Sequence, residues 1–206
     1  MLRFVPVFFT TTKSTAMTMQ PRNIARIALA IGFLLLIPLV AMQFTKEVVW
    51  DLFDFAVAGT LLFGTGLTYE VVASKGGNTA YRVAVGAAVA VVLLLVWTNL
   101  AVGLIGSENN PANLMYGGVL AVAISGALAA RFRPRGMART LLATALAQIG
   151  VAVLALLIGP HQVASEEAGN IVDILSVNAF FVVLWIGAAL LFRRASVMGP
   201  APEPTI

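Results

Sequence analysis

WDLFDFAVAGTLLFGTGLTYEVVASKGGNTAYRVAVGAAVAVVLLLVWTNLAVGLI, Trp50–Ile105, holds two long apolar runs, Trp50–Ser74 and Tyr81–Ile105, on either side of Lys75-Gly76-Gly77-Asn78. An α-helix rises 1.5 Å per residue, so roughly 20 apolar residues cross the ~30 Å hydrocarbon core of a bilayer. Each run is long enough to cross once. The basic, glycine-rich tetrapeptide is a turn that closes the first helix and returns the chain. The stretch therefore reads as a pair of antiparallel membrane-spanning helices.

Outward from this pair the pattern repeats. Ile24–Gln43 precedes it, with Pro38 inside. Ala112–Ala130, Met137–Ile158 and Ile174–Phe192 come after it. Asn110-Pro111 suits an N-cap followed by the first helical position. Arg133-Pro134-Arg135-Gly136 is a tight basic turn, and Gly159-Pro160 stops the fifth helix. The fold class is all-α: a polytopic bundle of six transmembrane helices over residues 22–194. Residues 1–21 read as a cytoplasmic leader, with Met17 and Met19 as alternative starts. Residues 195–206, rich in proline, read as a disordered cytoplasmic tail.

Composition agrees with this class. Of 206 residues, 60% are hydrophobic and 11% charged, against about 25% charged in ordinary soluble domains. Six spans leave no room for a second soluble domain. The net charge of +4 lies at helix ends, where it sets topology and needs no nucleic acid. With no cysteine and a single histidine, His161, a thiolate zinc site and a one-chain bis-histidine haem are excluded. No cofactor is expected.

The charges alternate by side. Twelve of the thirteen lysines and arginines fall on one side of the six-span order, and Lys46 alone falls on the other. Basic loops stay in the cytoplasm, which places both termini there. Glu47, Asp51, Glu108, Glu166, Glu167 and Asp173 lie on the opposite side.

Two rows of small residues recur every four positions: Ala56, Thr60, Gly64 and Thr68, and Gly117, Ala121, Ser125 and Ala129. Residues four apart share a helix face. Membrane helices associate through such narrow faces, so the second and fourth helices are expected inside the bundle. Val89–Val96 is bulky on every side and is expected to face lipid in part. The two halves of the chain show no three-plus-three repeat of the kind found in many secondary transporters.

Polar groups inside a bilayer are costly and often functional. Asp51 and Asp54, Thr98 and Asn99, Asn113, and Asn178 place oxygens at similar depth on four helices. They form a candidate polar or ion site. The competing reading is structural: acids favour a helix N-terminus, and amides join helices. Glu70, near the cytoplasmic end of the second helix, is expected to pair with Arg82, Arg131 or Arg139 as an anchor. Its other reading is a buried protonatable group. His161 with Glu166 and Glu167 reads as a solvated loop. Gly64-Thr65-Gly66 lies mid-membrane and precedes no phosphate loop. No nucleophile–base pair is present.

Trp50–Glu70, VWTNLAVGLIGSENNPANLMYGGVL at Val96–Leu120 and ARFRPRGMARTLLATALAQ at Ala130–Gln148 resemble a family of uncharacterised small bacterial integral membrane proteins. The resemblance runs over Trp50–Phe192. It implies a bacterial inner-membrane setting and no catalytic residues. Two functions stand: a non-catalytic subunit or scaffold with a membrane partner or a second copy, and a small permease built on the outer polar residues. An enzyme acting through Asp51 and Asp54 lacks an oxyanion or phosphate clamp.

Overall fold

The computed structural model describes residues 21–106, 108–158 and 171–198. Its six long helices are α1 (Pro21–Phe44), α2 (Leu52–Ala73), α3 (Thr79–Ala101), α4 (Tyr116–Ala129), α5 (Pro134–Ile158) and α6 (Ile171–Val197). A 3-10 segment, Pro111–Met115, leads into α4. With that segment counted into the fourth span, all six are long and apolar enough to cross a membrane. The protein is a multi-pass membrane protein. The loop with His161, Glu166 and Glu167, the leader before Pro21 and the tail after Met198 lie outside the described residues.

Helices α3 to α6 make the core. On α6, Ile174, Asn178, Phe181, Trp185, Ala188 and Phe192 are buried. They recur every three or four residues, one face of a 3.6-residue helix. On α5, Met137, Leu141, Thr144, Gln148, Ala152 and Ala155 recur in the same way and are buried. These two seams face each other, and α5 and α6 form the most extensive helix pair. The next pairs are α3 with α6 and α4 with α5. Gly126 lets α4 approach closely: a Cβ there would lie 2.5 Å from Thr140 Cγ2 on α5.

The helix ends of the core are pinned at the basic face. Asn78 caps α3 by accepting the Tyr81 N–H at 2.7 Å. Its amide also donates to the Ala195 and Met198 carbonyls at 3.2 and 2.7 Å. One side chain thus serves the start of α3 and the end of α6. Tyr81, fully buried, stacks edge-on against Phe192 at 5.5 Å. Its hydroxyl donates to the Phe132 carbonyl at 2.7 Å. Arg131 and Phe132 turn the chain from α4 to α5 with φ of 50° and 58°, a left-handed conformation that costs a non-glycine residue. A side chain at Gly76 would overlap the Tyr81 ring.

Helices α1 and α2 are attached at the periphery. No residue in the most apolar window of α1 is buried, and α1 packs on α2 alone among the main helix pairs. Gly66 is the close approach of this pair: a Cβ there would meet Ile27 at 2.7 Å.

The two small-residue rows do not point inward. Ala56, Thr60, Gly64 and Thr68 are exposed along α2, and so are Gly117, Ala121, Ser125 and Ala129 along α4. Ala58 in the middle of α2, and Val119 and Ala123 on α4, are buried and lie two positions from row residues. At 100° per residue that is nearly the opposite face. The expectation that the rows pack inside the bundle is corrected: α5 and α6 meet through another seam and leave the rows on the outside. In α3, Leu94 faces outward while its neighbour Leu95 is fully buried.

Candidate polar site

The third span ends earlier than its apolar run, and the reason builds the site. Thr98 O accepts both Val102 N and Gly103 N, at 3.0 and 3.1 Å. Gly103 and Gly106 take φ of 78° and 69°, which glycine adopts without strain. The chain leaves α3 and runs through Leu104 and Ile105, both buried. Their backbone N–H groups are covered by one atom. Asn113 Oδ1 accepts Leu104 N and Ile105 N, each at 2.9 Å. Asn99 Nδ2 reaches the Asn113 carbonyl at 3.4 Å. Asn110 caps the 3-10 segment by accepting Ala112 N at 2.9 Å.

Three residues beyond Asn113, Tyr116 begins a second group. Its hydroxyl donates to Asn178 Oδ1 at 3.0 Å. Gln148 Nε2 donates to the same oxygen at 2.9 Å. Asn178 Nδ2 donates to Ile174 O of its own helix at 2.8 Å. Tyr116, Gln148 and Asn178 are all buried. Asn178 on α6 therefore ties α4 to α5. One turn before Gln148, the buried Thr144 hydroxyl donates to Thr140 O at 2.9 Å.

Asp51 and Asp54 stand apart from this row. Asp54 N donates to Asp51 Oδ1, and Asp51 N donates to Asp54 Oδ2, both at 2.9 Å. This reciprocal capping box covers two amides at the start of α2, and both residues are exposed. Thr98 is half-buried at the end of α3. Of the six residues singled out in the sequence, Asn99 and Asn113 meet directly. Asn178 joins a neighbouring group, and the two acids join neither.

At the basic face, Glu70 Oε1 accepts a hydrogen bond from the Asn23 amide. Its partner among the described residues is this amide on α1, where the sequence pointed to Arg82, Arg131 or Arg139. All three arginines are exposed. The bond joins the start of α1 to the end of α2. Among the described residues, no three histidine, cysteine or acidic side chains gather as a metal site.

Sequence reading missed Tyr116 and Gln148. The signal for Gln148 was there: Thr140, Thr144 and Gln148 repeat every four residues on a helix otherwise apolar after Arg139. Tyr116 carried none, because a tyrosine near a helix end reads equally well as an interfacial belt residue.

The row is made of amides, a phenol and backbone groups, which donate and accept hydrogen bonds. None is a nucleophile activated by a base. The arrangement holds helices and a buried loop in register. Asn99 Oδ1, Gln148 Oε1 and Trp185 Nε1 are buried with no hydrogen-bond partner among the described residues.

No protein-family model matches the chain, and neither the curated proteins nor the solved structures hold a match to it. The resemblance to small bacterial membrane proteins rests on the quoted segments alone. The structure shows six helices long and apolar enough to cross a membrane.

Proposed function

We propose that the chain is a non-catalytic subunit or scaffold of a membrane assembly that works by lateral packing against other transmembrane helices. One observation carries this: the small-residue faces of α2 and α4 both lie on the outside of the six-helix bundle. Their hydroxyls are turned onto their own helices. Thr60 donates to Ala56 O and Thr68 to Gly64 O, each at 2.7 Å, and Ser125 to Ala121 O at 2.6 Å. These faces are narrow and self-satisfied, and a Cβ at Gly64 or Gly117 would meet nothing within 4 Å. Another helix backbone can come close there, which is how membrane helices associate. The engagement of Asp51 and Asp54 in a capping box weighs against a permease built on them.

The setting proposed is a bacterial inner membrane, with the basic face cytoplasmic. The segment resemblance supports the first and the loop charges the second.

The test is the mass of the native particle extracted gently into lipid nanodiscs. A mass above one chain is expected, from a second copy or a stoichiometric membrane partner. Gly64→Leu or Ala121→Leu is expected to return it to one chain with helicity unchanged. A wild-type particle holding one chain and no partner sinks the proposal.

A further inference from the structure

Three basic segments of the chain converge at one end of the α3–α6 core. The turn between α2 and α3 carries Lys75, and Arg82 follows near the start of α3. The turn between α4 and α5 carries Arg131 and Arg133, and the end of α6 carries Arg193 and Arg194. Side chains tie the three segments together. Lys75 Nζ lies 5.3 Å from the centre of the Phe132 ring. The Tyr81 hydroxyl donates to Phe132 O at 2.7 Å, and the Tyr81 ring meets that of Phe192. The Asn78 amide donates to Ala195 O. Each of the six cations is therefore a member of one of these contacts or the chain neighbour of a member.

All six side chains are exposed, and none forms an ion pair among the described residues. Of the described acids, Glu70 comes nearest in the chain, five residues before Lys75, and its Oε1 accepts the Asn23 amide. The junction gathers positive charge with no counter-charge of its own, and like charges repel. Membrane orientation needs basic residues in the loops of one side. It does not need those loops to be fastened to one another. Orientation explains the sign of this face and leaves its convergence unexplained.

The apolar surface beside the cations selects the anion. Leu190 lies three and four residues before Arg193 and Arg194, a spacing that puts it on their face of α6. Ile186 lies one turn further from the helix end, and both are exposed. On α3, Val83 next to Arg82 is exposed as well. A soluble anion matches the charges alone. A phospholipid matches both features. Its phosphate oxygens accept hydrogen bonds from guanidinium groups, often two at once, and its chains cover the apolar residues beside them. A net negative headgroup is required, because choline or ethanolamine brings a further cation to the junction.

We propose that this junction binds anionic phospholipid from the adjoining leaflet, its phosphate among the six cations and its acyl chains against the outward residues of α3 and α6. The contacts that build the junction leave the small-residue rows of α2 and α4 free, so the site stands independently of helix packing there.

Native mass spectrometry of the full chain in detergent, titrated with lipid, tests this. Phosphatidylglycerol and phosphatidylcholine with the same acyl chains are added separately, and the affinity for the first bound lipid is read. Phosphatidylglycerol is expected to bind about fivefold more tightly, the effect of one basic residue near an anionic lipid surface. Arg131→Gln with Arg133→Gln, and Arg193→Gln with Arg194→Gln, are each expected to remove most of that preference. All four side chains are exposed, so the fold is expected to hold, with helicity as the check. Arg22→Gln with Arg26→Gln removes the same charge from the peripheral α1 and is expected to leave the preference as in the parent. Equal affinity of the parent for the two lipids overturns the proposal. So does an equal loss from the α1 pair, which would make total charge the cause. Inorganic phosphate that displaces phosphatidylglycerol where chloride of equal ionic strength does not would identify a site for soluble anions, and overturns it too.

Discussion

The α3–α6 core and the α1–α2 pair are built from similarly apolar helices and hold together differently. In the core, α5 and α6 bury a continuous seam, and polar side chains span from helix to helix through Asn178 and Tyr116. In the α1–α2 pair no residue in the most apolar window of α1 is buried, and the side-chain hydrogen bond between the helices, from Asn23 to Glu70, lies at one end. Large side chains such as Phe33, 73% exposed, point outward, and a groove opens toward α3. Apolar content alone does not make a membrane core, because lipid is as apolar as leucine. Shape and fully buried hydrogen bonds separate the two regions.

The sharpest way to break this contrast is to remove one large residue from each region. Trp185 is fully buried at the centre of the α6 seam. Trp185→Ala is expected to destabilise the bundle by about 3–5 kcal/mol, the range for aromatic truncations that leave a cavity. Phe33→Ala is expected to stay within about 0.5 kcal/mol, as for an outward side chain with no special role. Helicity followed through a graded denaturing-detergent titration reads both. Equal shifts would erase the distinction between core and periphery.

A second comparison lies within the core. Asn178→Leu keeps the branched shape, adds some volume and removes the acceptor shared by Tyr116 and Gln148. Unpairing buried donors costs about 1–3 kcal/mol in soluble proteins, and hydrogen bonds between membrane helices average about 0.6 kcal/mol. A loss of about 1–2 kcal/mol in the same titration is expected, smaller than that of Trp185→Ala. If Asn178→Leu matched or exceeded that loss, hydrogen bonding rather than packing would dominate the core.

The sequence made the contrast only half visible. All six spans were legible, because length and apolar content decide them, and so were the turns. Asn110 caps where its neighbour Pro111 suggested, while Asn78, read only as part of a turn, also caps α3. The fourth span was less so: Asn110-Pro111 opens a 3-10 segment, and α-helix begins only at Tyr116. The end of α3 was hidden. Val102–Ile105 continues an apolar run, and only the distant Asn113 side chain makes it favourable for the chain to leave the helix there. The rows on α2 and α4 were readable as narrow faces. Which way they face was not, since spacing along one helix carries no information about what packs against it. Among the polar candidates, Asn99, Asn113 and Asn178 were recognisable as inward amides. Their partners Tyr116 and Gln148 depend on how α4, α5 and α6 meet.

The basic turn between α4 and α5 sharpens the comparison from the other direction. Arg131 is exposed and held at φ 50°. A non-glycine residue there costs about 1 kcal/mol. Arg131→Gly is expected to raise the stability of the core by up to about that amount while leaving α1 and α2 unchanged. Phe132 has the same backbone strain, but its ring lies under Lys75 Nζ at 5.3 Å, so glycine there gives up a contact as it relieves strain. An Arg131→Gly protein less stable than the parent would mean that its charge, not its backbone, governs the turn.

The smallest global effect belongs to the bond between Glu70 and Asn23. Glu70→Leu removes the side-chain hydrogen bond between the start of α1 and the end of α2, at a cost of about 0.6 kcal/mol. The core has no part in that bond, so its denaturation midpoint is expected to move very little. The local effect is expected to be larger. Opening of one peripheral helix is a sub-global event with its own free energy, so amides of α1 should exchange hydrogen about threefold faster while those of α5 and α6 keep their rates. Glu70→Gln retains a carbonyl acceptor for the Asn23 amide and should leave α1 as in the parent. If exchange accelerated equally in α1 and α6, the helix pair would not be a separate unit, and the bundle would open as one.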